Sequence, residues 1–165
     1  MGIESLSINQ DVLIEIICNE KDWESNGLNP NKGLFLMGNT GVGKTFALEC
    51  FFSQTRKNVG WRLDDQKIME GVQTYGTQYF SRFLQDNMFW DDIGEEPQRM
   101  MWMGTDIWPG LTIIKTRYTR WPHLKNHFTS NMLLEDLSNY YGDKVMSRLN
   151  QMCNFIIVTG KDRRI

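Results

Sequence analysis

Gly38-Asn39-Thr40-Gly41-Val42-Gly43-Lys44-Thr45 is the stretch on which the fold turns. It fits G-x-x-x-x-G-K-[ST], a loop that wraps a polyphosphate. The glycines let the backbone turn sharply and approach a phosphate closely. Successive N–H groups then converge on one anion-sized hollow. The Lys44 ammonium brings positive charge to the outer phosphates, and the Thr45 hydroxyl is an oxygen ligand of the kind Mg2+ takes. The flanks agree with the motif. Gly33 to Met37 is a short apolar run suited to a buried parallel strand, and Phe46 to Phe52 reads as a mostly buried helix. Strand, glycine loop and helix in that order bring a helix N-terminus to the anion. The candidate nucleotide contacts are therefore Gly38, Asn39, Thr40, Gly41, Val42, Gly43, Lys44, Thr45 and Phe46, with ATP and Mg2+ as the expected ligands.

The 165 residues are 41% hydrophobic and 23% charged, the balance of one globular domain. A net charge of −2 excludes a global basic field, so any contact with nucleic acid needs a local patch. Cys18, Cys50 and Cys153 are widely spaced and odd in number, as in a reducing compartment. No apolar run approaches a membrane span, and the N-terminus lacks a secretory pattern. A soluble cytoplasmic protein with no membrane partner is expected.

Residues 7–19 read as a helix, with Ser7 and Asn9 as possible N-caps and Val12, Leu13, Ile16 and Ile17 on one face. Residues 24–32 hold turn formers. Residues 1–32 are thus expected to be an N-terminal helix and linker, and residues 33–165 the main domain. The loop helix should end near Arg56 to Asn58, followed by a weak strand over 59–63. Asp64 or Asp65 then caps a helix towards Leu84, which Gly71 and Gly76 weaken. Asn87 to Trp90 is a short strand. Glu95 to Met103 is a methionine-rich loop, either an adaptable contact surface or a flap over the core. Thr105 or Asp106 caps a helix reaching Trp121, with Pro109 and Gly110 in its first turn or at a break before it. His127 to Asn131 ends a strand, Leu133 to Met152 is helical with a break at Gly142, and Phe155 to Val158 is a buried strand. Strands alternating with helices predict a parallel sheet covered on both faces.

Hydrolysis needs more than the loop: a carboxylate for the metal and a group that orients water. Asp91-Asp92 lies at the carboxyl end of a predicted strand, where ligands of open α/β sheets bind. Asp91 is the candidate for the metal with Thr45, and Asp92 for polarising the water. Asn131 ends another strand and serves either the γ-phosphate or the following helix as a cap. Arg148, Arg163 and Arg164 are the remaining candidates for a developing phosphoryl charge. Lys115, Arg117, Arg120 and Lys125, near Tyr118 and Trp121, form a candidate single-stranded DNA contact, although they do not share one helix face.

GNTGVGKT, FWDDIGEEP, RYTRW, FTSNM, SRL and the terminal VTGKDRR occur in the order seen in the DnaC/IstB group of AAA+ ATPases, helicase loaders and transposase helpers. The chain resembles that group over about residues 30–165. The resemblance implies a P-loop NTPase of the AAA+ type, a three-layer αβα fold with a five-stranded parallel sheet in the order 5-1-4-3-2 and no C-terminal helical lid. It implies Walker A at 38–45, Walker B at Asp91 and Asp92, sensor 1 at Asn131, an arginine finger at Arg148 acting on a neighbour's ATP, and a γ-phosphate-sensing arginine at Arg163 or Arg164. It further implies a slow ATPase that self-assembles on ATP or DNA and works in DNA replication with single-stranded DNA and a replicative helicase. The alternatives within reach are a transposition helper acting on a transposase and a nucleotide-switched regulator with little hydrolysis. Where helicase loaders carry a helicase-gripping domain, this sequence has only residues 1–32.

Overall fold

The computed structural model describes residues 3–164; residues 1, 2 and 165, the outer ends of the two expected segments, lie outside it. The elements are β1 (Ser5–Asn9), α1 (Gln10–Cys18), β2 (Gly33–Met37), α2 (Lys44–Thr55), β3 (Trp61–Leu63), α3 (Asp65–Tyr75), β4 (Met88–Trp90), β5 (Met100–Trp102), β6 (Thr105–Ile107), α4 (Pro109–Tyr118), β7 (Asn126–Ser130), α5 (Leu134–Tyr141), α6 (Asp143–Met152) and β8 (Cys153–Thr159). Short 3-10 segments cover Glu20–Asp22 and Gly76–Leu84. Among the described residues no helix is long and apolar enough to cross a membrane.

The main sheet has six parallel strands in the order β1-β8-β2-β7-β4-β3. Five of them, β8-β2-β7-β4-β3, reproduce the expected 5-1-4-3-2 order. The sixth corrects the expectation of five. Ser5-Leu6-Ser7-Ile8-Asn9 alternates polar and apolar, so Leu6 and Ile8 reach the core while the strand pairs with β8. The helix accordingly begins at Gln10 and not at residue 7. Ser7 lies in the strand, and Asn9 is the cap, its Oδ1 accepting the Asp11 N–H at 2.9 Å.

Period-two alternation along the buried strands divides the core into two layers. Leu34 and Leu36 of β2, Phe89 of β4, and Ile156 and Val158 of β8 pack with Leu13 and Ile17 of α1 and Leu48 and Phe51 of α2. Phe35, Met37, Met88, Trp90, Phe128 and Phe155 point to the opposite side, against α3, α4, α5 and α6. The sheet therefore sits between two helical layers, and its loops meet at the carboxyl edge.

Two further expectations change. The helix from Asp65 towards Leu84 stops at Tyr75 and continues as 3-10 turns from Gly76. Thr105 and Asp106 cap no helix; they form β6, paired antiparallel with β5. Both strands of this hairpin are clamped at one end by Arg99, whose Nε and one terminal nitrogen donate to the Asp106 carboxylate at 2.8 Å. The methionine-rich segment divides by alternation: Met100 and Trp102 lean on the core, whereas Met101 and Met103 are 70% and 84% exposed. The α4 helix starts at Pro109, whose missing N–H costs nothing in a first turn.

Candidate nucleotide-binding site

The loops after β2, β4, β7 and β8 leave the same edge of the sheet, and these strands are neighbours in it. That juxtaposition gathers the glycine loop, Asp92, Asn131, Arg163 and Arg164 around a cleft of about 490 Å³, with Asp91 hydrogen-bonded to the lining residue Thr45. Gly43, lining it, has φ +85°, and it caps α2 without any side-chain hydrogen bond. The first-turn N–H groups of α2 thus have no side-chain acceptor, as an anion cradle requires. The opposite wall closes on Gly41, where a Cβ would stand 1.8 Å from Asp162 Oδ1. The Arg163 N–H donates to the Gly41 carbonyl at 3.1 Å, tying the chain end to the loop.

Lys44 is buried. Its ammonium donates to the carbonyls of Gly38 at 2.8 Å and Asn39 at 2.9 Å and to Asn131 Oδ1 at 2.9 Å. Burial pulls its pKa below the usual lysine range, and the Asp92 carboxylate works in the other direction. The Thr45 hydroxyl donates to Asp91 Oδ1 at 2.8 Å, and Thr129 Oγ1 donates to the same oxygen at 2.5 Å. A hydroxyl beside a carboxylate on the helix that follows a phosphate loop is an all-oxygen donor pair, which fits Mg2+. Asp92 occupies the left-handed region at φ +53°, a conformation aspartate tolerates better than most residues. Its N–H is held by Thr129 Oγ1 at 2.8 Å. Burial raises the Asp92 pKa, and the charges of Asp91 and Glu95 add to the rise.

Asn131 joins the two halves. Its Oδ1 accepts from Lys44, and its Nδ2 donates to Glu95 Oε1 at 2.8 Å and Asp92 Oδ1 at 3.3 Å. It does not cap α5, whose N-cap is Leu133. Glu95 and Thr129 are the contributors that spacing did not single out. Thr129 was findable, because alternation puts residues 129 and 131 on one face of a strand. Glu95 carries no such signal.

The other candidates separate. Phe46 is 62% exposed and lines the cleft, as does Arg164, whose charge acts on Lys44 and Asp92. Arg163 also lines the cleft, but its guanidinium is paired with Asp11 of α1. Val42 is buried in the core beneath the loop, whereas Asn39 and Thr40 are exposed. Arg148 lies elsewhere, on α6, with its guanidinium over the Tyr118 ring at 5.4 Å. The basic patch needs correction. Lys115 and Arg120 are exposed, but Arg117 is 0% exposed and donates to Asn126 Oδ1 and to the carbonyls of Phe83, Asp86 and Lys125. Its guanidinium is a structural strut and cannot meet a phosphate. Lys125 is likewise engaged, with the Asn31 carbonyl.

No family model and no curated relative matches the sequence. Solved structures do. The crystal structure of the DnaC helicase loader matches with a TM-score of 0.59 at 21% identity, over 90% of this chain and 87% of that one. NtrX from Brucella abortus, in complex with ATP, matches with a TM-score of 0.53 at 13% identity, over 99% of this chain and 40% of that one. With its core strand order and these two likenesses, the chain has a DnaC-like AAA+ fold.

Proposed function

We propose that the chain binds ATP with Mg2+ in the cleft at the carboxyl edge of the sheet and hydrolyses it. The observation that carries this reading is the continuous path Lys44–Asn131–Asp92 beside Thr45–Asp91. Phosphate-binding, metal-binding and water-orienting groups are thereby within one hydrogen-bonded set. The loop amides and the start of α2 take the phosphates, and Lys44 faces the outer ones. Thr45 and Asp91 would hold Mg2+, which supplies charge neutralisation on the phosphate oxygens when bound. Asp92 polarises the attacking water, and Asn131, hydrogen-bonded to both Lys44 and Asp92, fixes its position through those groups. Arg164 is the arginine of this chain that faces the γ-phosphate, since the Arg163 side chain is spent on Asp11.

Arg148 stands outside its own cleft, so its use in hydrolysis requires a second copy, and turnover by a lone subunit is slow. The biological role we propose is that of a DnaC-type helicase loader in DNA replication, in which ATP controls assembly of the chain with itself, single-stranded DNA and a replicative helicase. The DNA-facing side chains on this reading are Lys115 and Arg120.

Titration with a fluorescent ATP analogue in the presence of Mg2+ tests the binding step. Specific turnover that rises with protein concentration and falls in Arg148→Ala supports the shared site. Turnover linear in concentration and indifferent to that change refutes it. Co-purification with a replicative helicase, against a transposase as competitor, tests the client.

A further inference from the structure

Beyond the Walker-type pair, a third carboxylate, that of Glu95, is hydrogen-bonded to Asn131, which lines the cleft. We propose that Glu95 acts together with Asp92 as the proton acceptor for the attacking water, an inference that rests on the hydrolysis proposed above. The Asn131 amide carries the argument. An amide nitrogen has two N–H groups, and here they serve two carboxylates, Glu95 at 2.8 Å and Asp92 at 3.3 Å. The amide cannot turn round to do otherwise, because its oxygen is engaged by the Lys44 ammonium at 2.9 Å. The two acids therefore lie side by side across one nitrogen, next to the group that faces the outer phosphates.

The backbone holds Glu95 there from both sides. On one side the Glu95 N–H donates to the Asp92 carbonyl at 3.2 Å, and the Ile93 N–H donates to the Thr129 carbonyl at 2.9 Å. On the other side Glu96 is only 2% exposed and fastens the turn. Its carboxylate accepts the Gly94 N–H at 2.8 Å and the Tyr141 hydroxyl, while the Tyr140 hydroxyl donates to its carbonyl. Glu95 itself is exposed, so the pinned turn leaves its carboxylate open to solvent beside Asn131. The reach of a glutamate complements the shorter Asp92 in this position.

In the step, the water oxygen bonds to the γ-phosphorus. The bond from that phosphorus to the β,γ-bridging oxygen breaks, and its electron pair leaves on ADP. The proton lost by the water passes to a carboxylate oxygen of Glu95 or Asp92 and then to solvent. Asn131 keeps both acceptors aligned throughout.

Substitution by glutamine separates this role from simple positioning. A glutamine oxygen still accepts from Asn131, so a positioning role survives Glu95→Gln, whereas proton acceptance does not. The test measures kcat and KM for MgATP in the assembled protein, and the Kd of the fluorescent analogue, for wild type, Glu95→Gln, Glu95→Ala and Glu95→Asp. We expect Glu95→Gln to lower kcat about 100-fold, the scale of a general base, with the analogue's Kd changed less than about threefold and part of kcat kept in Glu95→Asp. A Glu95→Gln kcat within about twofold of wild type overturns the inference, whether or not Glu95→Ala is slow. Wild-type protein that binds no analogue, or binds it without turnover, overturns the proposed hydrolysis and this inference with it.

Discussion

Replacing Arg117 with methionine distinguishes an arginine that holds the fold from one that holds DNA. In the folded chain its Nε donates to Asn126 Oδ1, one terminal nitrogen donates to the carbonyls of Phe83 and Asp86 at 2.8 Å each, and the other donates to the Lys125 carbonyl at 3.0 Å. One guanidinium thus ties the end of the 3-10 segment to the turn before β4 and to the start of β7. Burial lowers its pKa to about 10, so it stays charged at neutral pH. Methionine replaces the aliphatic stem but offers no donor, and several buried acceptors lose their partner. Each buried acceptor left without a donor costs about 1–3 kcal/mol, so the set amounts to a large share of the roughly 5–15 kcal/mol that holds a domain. Arg117→Lys keeps the charge but not the fork, and should lose about 1–3 kcal/mol. Lys115→Ala and Arg120→Ala, on exposed side chains, should stay within about 0.5 kcal/mol of wild type. Urea unfolding followed by tryptophan fluorescence reads these differences. Single-stranded DNA anisotropy, measured where each variant is folded, reads the other role. An Arg117→Met protein with an unchanged midpoint and lost DNA binding would refute the reasoning.

The remaining predictions concern protons and backbone. His127 packs against Phe51 and Phe52 and accepts the Leu34 N–H on Nδ1, and burial, aided by the charges of Lys57 and Lys125, pushes its pKa from 6.5 down to about 3. The unfolded chain therefore binds the proton first as pH falls, and stability drops by about 2 kcal/mol between pH 7 and pH 5 from this group alone. His127→Asn, whose Oδ1 can replace Nδ1, should lose that part of the slope in urea melts at the two pH values; equal slopes would show that the imidazole is not held neutral. Glu96 acts with the opposite sign. Burial raises its pKa, so its contribution is complete below the unfolded value of 4.5 and is lost as pH rises through the folded one. Glu96→Gln should therefore steepen the net loss of stability on acidification, and a flatter profile would contradict the assignment. Gly43→Ala meets no atom within 4 Å, so only the φ of +85° penalises it. A loss of about 1–2 kcal/mol is expected in thermal melts, and an unchanged midpoint would remove the conformational argument for that glycine.

What the sequence made legible was local, and what it hid was pairing between distant segments. The glycine loop announces itself because phosphate binding by backbone amides constrains adjacent residues. Asp91 and Asp92 were readable because a short apolar run fixes where a strand ends. By contrast, Ser5 to Asn9 has only two apolar residues, and its strand identity depends on an edge of β8 that lies 150 residues away in register, Ser5 opposite Phe155. A helix signal starting beside it easily absorbs such a segment. Arg117 shows the same limit in polar chemistry. Its sequence neighbours Lys115 and Arg120 suggest a solvated patch, while its true partners, at 83, 86, 125 and 126, come from elements that meet only after folding. Asn131 sits between these cases. Spacing left it equally a helix cap or a phosphate contact, because both roles use an amide just past a strand. The deciding fact is three-dimensional: Leu133 takes the cap position, and the amide is consumed by Lys44 on one side and by acids on the other. A side chain with a donor and an acceptor can report on both ends of a charge-separated cleft only if both ends are built around it. Asn131 is therefore the residue whose replacement, more than that of any single aspartate, should uncouple the ammonium of the loop from the carboxylates of the neighbouring strand.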